Sequence, residues 1–302
     1  MKIKKDEPIN KLGDIKMFVK EQYEDITVQV YEERYRDALY DFVLSERQQV
    51  YSSLPKEVLD DALNDEDRTA NIVLNEEDEV VGFFVLHQFY QHEGYDTPNH
   101  VVYVRSLSIN EAHQGKGYGT KMMMYLPQYV QTLFPDFNHL YLVVDAENKS
   151  AWNVYERAGF MHAATKEEGP IGKERLYYLD LDSKYVSSLR LKPNEDASIE
   201  EITIVDLNKD DQQVGFLALE QQEQTLVIHA IEVVETERGN GIAESALRQL
   251  ATYVRKHFEA VKQIRITLYG EENEFKPLCH ASNFVDVASN AYFTVFEKYI
   301  NY

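Results

Sequence analysis

Cysteine is almost absent: Cys279 stands alone among 302 residues. One thiol cannot form an internal disulfide or a cysteine-rich zinc site, so a reducing, cytoplasmic setting is expected. Long hydrophobic runs are missing as well. No stretch approaches the roughly 20 apolar residues of a spanning helix. The opening MKIKKDEPINKLGDIKMFVK is too charged to hold the apolar centre of a secretory leader. No membrane partner is expected. Positive charge is scarce, with 31 Lys and Arg against 52 Asp and Glu and a net charge of −21. That balance repels phosphate backbones, so no nucleic acid partner is expected. It would attract cations over long range, although solubility alone accounts for such acidity. DDALNDEDR and NEEDE read as solvated faces and turns. The nine histidines show no H-E-x-x-H or similar spacing, so no metal site is expected.

What is present is a repeat. DEVVGFFVL (78–86) matches DQQVGFLAL (211–219), and HQGKGYGTKMM matches ERGNGIAESAL, with Gln114 facing Arg238. YERAGF ends at Phe160 and CHASNF at Phe284, and Gln114 precedes Phe160 by the same interval as Arg238 precedes Phe284. Equal spacing in diverged sequence indicates a duplicated unit. Each copy reads as hairpin, strand, glycine loop, helix, strand, helix, hairpin. The first helix, GTKMMMYLPQYVQTLF, contains Pro127 and is expected to be strained there. KSAWNVYERAGF reads as a short helix capped by Gly159. Copy one alone has a front piece, YEERYRDALYDFVLSERQQVYSSLPKEVLDDAL, that reads as one or two helices. The polar DSKYVSSLRLKPNEDAS holds Pro193 and is the linker candidate. The expected division is 1–182, a linker at 183–198, and 199–302.

The loop QGKGYG lies between a strand and a helix start. A helix N-terminus leaves backbone N–H groups without partners, and the helix dipole favours an anion there. Glycines permit positive φ angles and let phosphate oxygens reach the amides without a Cβ in the way. The loop lacks the Lys-Ser/Thr ending of a nucleoside-triphosphate loop. It also lacks the G-x-G-x-x-G spacing of a dinucleotide fold, because position 120 is threonine. Alone, it is a tight turn or a phosphate cradle with about equal weight.

The neighbours tip that balance. Gln114-Gly115-Lys116-Gly117-Tyr118-Gly119 followed by ENKSAWNVYERAGF (147–160) resembles the two signatures of the GNAT N-acetyltransferase superfamily, with Asn148, Ala151, Tyr155, Gly159 and Phe160 in place. Residues from about 25 to 182 fit that family's element order. Arg238-Gly239-Asn240-Gly241-Ile242-Ala243 repeats the loop signature in copy two. There, however, Cys279 matches Tyr155, Lys276 matches Trp152, and the front helices are missing. The resemblance implies an α+β fold, a mixed twisted sheet flanked by helices, in two tandem copies of which the second is reduced.

It further implies acetyl-coenzyme A as co-substrate and direct attack by an amine. The donor would lie against Leu107, Ser108, Ile109, Gln114, Gly115, Lys116, Gly117, Tyr118, Gly119, Thr120, Asn148 and Ala151. In copy two Arg238, Gly239 and Gly241 would hold the corresponding phosphates. Strand-end amides near Ser108 to Asn110 would supply an oxyanion donor. Tyr155 matches the family's general acid, which protonates the leaving thiolate; taken alone it is one packed tyrosine among 21. Trp152, the only tryptophan, reads as packing. Polyamine-type members carry an acid about where Arg105 stands, so the base is left to Glu46, His87 or Asp145. The stretch LSERQQVYSSLPKEVLDDA (44–62), with Gln48, Tyr51 and Ser53, is similar to bacterial polyamine acetyltransferases. The expected partner is therefore a small cationic amine such as a polyamine. A protein amine, an aminoglycoside, or a coenzyme-A-binding sensor without turnover are the alternatives. A homodimer is compatible with this reading.

Overall fold

The computed structural model describes residues 19–270 and 275–300. The expectations placed on residues 1–18, and on Asn273 and Glu274 in copy two, lie outside them. The chain packs as two compact units, 1–142 and 143–302.

The apolar runs form strands where their patterns place them. β1 (Lys20–Tyr23), β2 (Ile26–Val30), β3 (Arg68–Leu74), β4 (Val80–Gln88), β5 (Val102–Ile109), β6 (His139–Asp145), β7 (Met161–Lys166) and β8 (Glu174–Asp180) make one sheet in the order β1-β2-β3-β4-β5-β6-β8-β7. β4 is buried at every position, which is why it runs without a polar residue from Val80 to Leu86 rather than alternating. One side of this region meets the front helices, where Leu39, Phe42, Leu44 and Leu59 join a core with Ile72, Phe83 and Val85. On the other side α4 (Tyr118–Leu133) sets Tyr129 edge-on to Phe84 at 6.3 Å, and the Tyr129 hydroxyl donates to Asn71 Oδ1 at 2.7 Å. The expected strain at Pro127 does not end α4, which runs on to Leu133.

The front piece is more broken than the expected one or two helices. A 3-10 turn (Glu33–Tyr35) leads into α1 (Arg36–Tyr40), α2 (Glu46–Gln49) and α3 (Pro55–Leu63). Local chemistry sets the breaks. Ser45 and Gln48 form a capping box that starts α2, and Pro55 opens α3, with the Leu54 amide donating to Glu57 at 2.8 Å.

The second sheet contains β9 (Leu189–Asn194), β10 (Thr203–Lys209), β11 (Gln212–Gln222), β12 (Thr225–Val233), β13 (Gln263–Tyr269), β14 (Val285–Ser289) and β15 (Phe293–Tyr299). Its order, β9-β10-β11-β12-β13-β15-β14, repeats that of β2 to β8 strand for strand. The remaining α-helices among the described residues are α5 (Lys149–Arg157), α6 (Ile242–His257) and α7 (Lys276–Ala281). Among the described residues no helix stands between β9 and β10, so copy two lacks the front helices. β9 lies inside the stretch expected as linker. It is an edge strand, where Pro193 costs no ladder bond from a central position, so its polar, proline-bearing sequence concealed it.

Candidate functional site

The copy-one loop is built by backbone geometry. Gly115 and Gly117 have φ of 74° and 87°, and Gly117 is the N-cap of α4. A Cβ at either glycine would meet nothing within 4 Å. Close packing therefore does not explain these glycines; left-handed backbone over open space does. The first-turn N–H groups of α4 have no acceptor within the helix. The side chain of Gln114 braces the loop: its amide donates to the Ile109 carbonyl at 2.8 Å. Arg238 does the same in copy two, where Nε donates to the Val233 carbonyl at 2.9 Å.

β5 enters the loop through a bulge that the sequence did not disclose. Phe83 pairs with Ser108 and Val85 with Arg105, so Phe84 alone faces both Ser106 and Leu107. Ser106 has φ of 51°, a left-handed serine in mid-strand. Such strain costs about 1–3 kcal/mol and re-aims the neighbouring amides. The alternation of RSLSI continues across the bulge, and no glycine or proline marks it. Ser108 Oγ, two residues on, is buried without a hydrogen-bond partner. The Leu107 carbonyl accepts from the Ser52 hydroxyl at 3.3 Å.

In the second unit, Asn148 caps α5, its side chain accepting from the Ala151 amide at 3.4 Å. Tyr155 is buried on α5, with its ring 6.3 Å from Phe160 and 6.4 Å from Tyr177. Burial pushes its phenol well above the ordinary tyrosine range, so it holds its proton throughout the neutral region. The glycine loop thus gathers residues 114–120, and one short helix gathers Asn148, Ala151 and Tyr155.

The profile of the acetyltransferase (GNAT) family matches residues 36–160 and 173–273. The chain belongs to this family. Among its relatives is the N-acetyltransferase YbbJ of Bacillus subtilis, 33% identical over 156 residues, which are 51% of this chain and 97% of that protein. A spermine/spermidine N(1)-acetyltransferase of the same organism is 31% identical over 125 residues, 41% of this chain and 80% of the relative. A solved spermidine N-acetyltransferase of Vibrio cholerae, in complex with CoA and spermine, is 18% identical with a TM-score of 0.42, over 53% of this chain and 97% of that one. The protein is thus an acetyltransferase with two tandem GNAT copies, and acetyl-coenzyme A is its co-substrate. The copy-one features fit that donor: open space over Gly115 and Gly117, and an orphaned Ser108 hydroxyl.

The GNAT loop of copy two has the same shape in different surroundings. Gly239 and Gly241 have φ of 76° and 82°. A Cβ on Gly241, however, would fall inside the Lys184 carbonyl. Lys184 Nζ donates to the Gly239 carbonyl at 3.0 Å, and the Val186 amide donates to Ser245 Oγ at 2.7 Å. The chain's own segment thus lies against Gly241, while Gly239, like Gly115 and Gly117, has nothing within 4 Å of where a Cβ would stand. β12 and β13 pair from Thr225 to Ile228 and then part, leaving a cavity of about 850 Å³ that Arg238, Gly239 and Gly241 of the loop themselves line. Its wall includes Ile228, Ile266, Leu268 and Cys279. This large cavity is not where the tyrosine signature lies. The residue there that matches Tyr155 is Cys279, which is buried, with its thiol pushed up to about 11 by burial.

None of the three base candidates is poised for proton transfer. Arg105 Nη1 donates to His87 Nδ1 at 3.0 Å, which leaves the His87 hydrogen on Nε2 and no open lone pair. Burial and the nearby Arg68 and Arg105 lower its pKa further. Glu46 is exposed in the first turn of α2, and Asp145 Oδ1 accepts from the Glu147 amide at 2.8 Å. Among the described residues no group of His, Cys, Asp and Glu is arranged to hold a metal ion, and no helix is long and apolar enough to cross a membrane.

Proposed function

We propose that copy one, residues 1–182, transfers the acetyl group of acetyl-coenzyme A to a primary amine of a small cationic acceptor such as a polyamine. The carrying observation is the open, left-handed glycine loop at the start of α4. Its amides, within residues 114–119, bind the donor's phosphates. The donor supplies an activated acetyl group as a thioester. The bulge at Ser106–Leu107 directs amides to the developing oxyanion, and Tyr155 gives its proton to the departing sulfur.

The proton balance supports Tyr155. A thiol near ~8.5 and a phenol near ~10 are close in water. Burial disfavours thiolate and phenolate alike, so both rise together in a dry site. The amine must arrive neutral, which costs about 4.6 kcal/mol at pH 7 for a group with a pKa near 10.4. With Glu46, His87 and Asp145 otherwise engaged or exposed, water takes that proton.

The acceptor class rests on the stretch 44–62, on the net charge of −21, and on 31% identity to a relative named for spermine and spermidine. Free coenzyme A released from acetyl-coenzyme A with a panel of amines tests it. Spermidine or spermine should turn over faster than lysine peptides or aminoglycosides. Inert polyamines beside another active amine would overturn the acceptor, while steady absence of release with every amine would favour a coenzyme-A-binding sensor.

A further inference from the structure

α5 carries Tyr155 yet has only nine residues, too few to hold its place without packing. The next residue, Glu156, is 6% exposed and receives three donors. The Tyr177 hydroxyl donates to Oε1 at 3.0 Å. Oε2 accepts from the Thr252 hydroxyl at 2.8 Å and from the Arg255 guanidinium. Thr252 and Arg255 stand on α6, the glycine-loop helix of copy two.

Arg255 also reaches the previous turn of α5. Its guanidinium carbon lies 4.9 Å from the centroid of Trp152, and Arg175 lies 4.8 Å from the same ring. The indole N–H donates to the Ala146 carbonyl at 3.2 Å. Arg255 Nη1 further donates to the Ile300 carbonyl at 2.9 Å, just after β15. One side chain of copy two thus joins residues i and i+4 of α5 to α6 and to the end of the last strand. The far end of α5 is held as well: the Tyr185 hydroxyl donates to the Arg157 carbonyl at 2.8 Å, and the following strand β7 receives Asn283 Nδ2 at the His162 carbonyl, 2.8 Å away.

We propose that Arg255 and Thr252 are positioning residues for Tyr155. By fixing Trp152 and Glu156, which flank Tyr155 on the helix, they set the rotation of α5 about its axis and with it the direction of the phenol. A misplacement of about 1 Å at a reacting group costs on the order of 10²-fold in rate, so this clamp has kinetic consequence. The duplicated half, with Cys279 where copy one has tyrosine, serves turnover as the wall against which the acid-bearing helix is set. The inference rests on Tyr155 as the acid.

The test uses the full chain and the fastest amine of the panel. Arg255→Ala should lower kcat about 10- to 100-fold, while the coenzyme A Kd and the donor KM stay within about twofold. Arg255→Lys should recover part of the loss, and Thr252→Val should show a smaller loss in the same direction. Combined with Tyr155→Phe, Arg255→Ala should cost nothing further. Hydrogen exchange should rise at least tenfold at the amides of 149–157 in Arg255→Ala and stay unchanged in α4. Unchanged kcat with unchanged exchange overturns the clamp, and so does an additive loss in the double variant. If Arg255→Ala does not fold, Arg255→Lys and Thr252→Val decide by the same two readouts. A fully active Tyr155→Phe removes the acid but leaves the exchange result standing, so the two failures are distinguishable.

Discussion

At matching places in the two copies stand a phenol, Tyr155, and a thiol, Cys279. Burial raises both, the thiol to about 11, so neither ionises near neutral pH. What separates them is their glycine loop: open at both glycines in copy one, obstructed at Gly241 by Lys184 in copy two. Tyr155→Phe keeps the ring packing on Phe160 and Tyr177 but removes the proton. It should lower kcat by about 10²–10⁴-fold at saturating donor, with coenzyme A binding intact. Because the phenol sits well above its ordinary range, no alkaline fall below about pH 10 belongs to it. Wild type and Tyr155→Phe should therefore share one pH profile up to that point, offset by a constant factor. Cys279→Ala should leave kcat nearly unchanged. Two kcat measurements decide the matter, and an inactive Cys279→Ala beside an active Tyr155→Phe would reverse the assignment. Tyr155 was legible only through its place between Asn148 and Gly159-Phe160. A signature places a glutamine at the loop start without showing that its side chain braces the strand end, as Gln114 does. Ser106 was invisible, since a bulge made of ordinary strand residues leaves the alternation intact.

Elements were legible where apolar periodicity was strong and obscure where backbone pairing alone made them. Both glycine-loop helices, the buried β4 and the short α5 follow from pattern and caps. β9 does not, because a polar edge strand earns its hydrogen bonds from β10 without an apolar signature. The front helices were visible as helical composition, but capping at Ser45 and Pro55 divided them. The two loops themselves permit a direct comparison. Gly117→Ala and Gly241→Ala each force a non-glycine residue into left-handed backbone, at about 1–2 kcal/mol. Only the second also drives a methyl group into the Lys184 carbonyl. That carbonyl can move only by disturbing the Lys184–Gly239 and Val186–Ser245 hydrogen bonds, each worth about 0.5–1.5 kcal/mol. Gly241→Ala should therefore destabilise the chain by about 1–3 kcal/mol more than Gly117→Ala in urea unfolding. Equal losses would mean that the segment at Lys184 is not seated on the loop.

For the whole molecule, two complete loop signatures invite the count of two donors per chain, and the geometry argues for one. A diphosphate needs free amides and free space, and the Lys184 backbone takes the space at Gly241 while the space at Gly117 is open. Lys184 brings a positive charge beside the second loop, but that ammonium already donates to the Gly239 carbonyl at 3.0 Å. Glu232, Glu237 and Glu244 line the cavity beside Lys184 and Arg238, and each is paired with a basic side chain, so it is the obstruction at Gly241 and not charge that stands against a diphosphate there. Calorimetric titration of the full chain with coenzyme A should therefore give one site. Gly117→Glu, which puts a carboxylate where phosphate belongs, should abolish the heat altogether. Gly239→Glu, the matched change at an exposed glycine of the second loop, should leave the one-site isotherm in place. Circular dichroism on both variants separates lost binding from lost fold. Two sites in the wild type, or a residual site in Gly117→Glu that disappears when Gly239→Glu is added, would show that the Lys184 segment gives way to ligand and that copy two binds the donor as well.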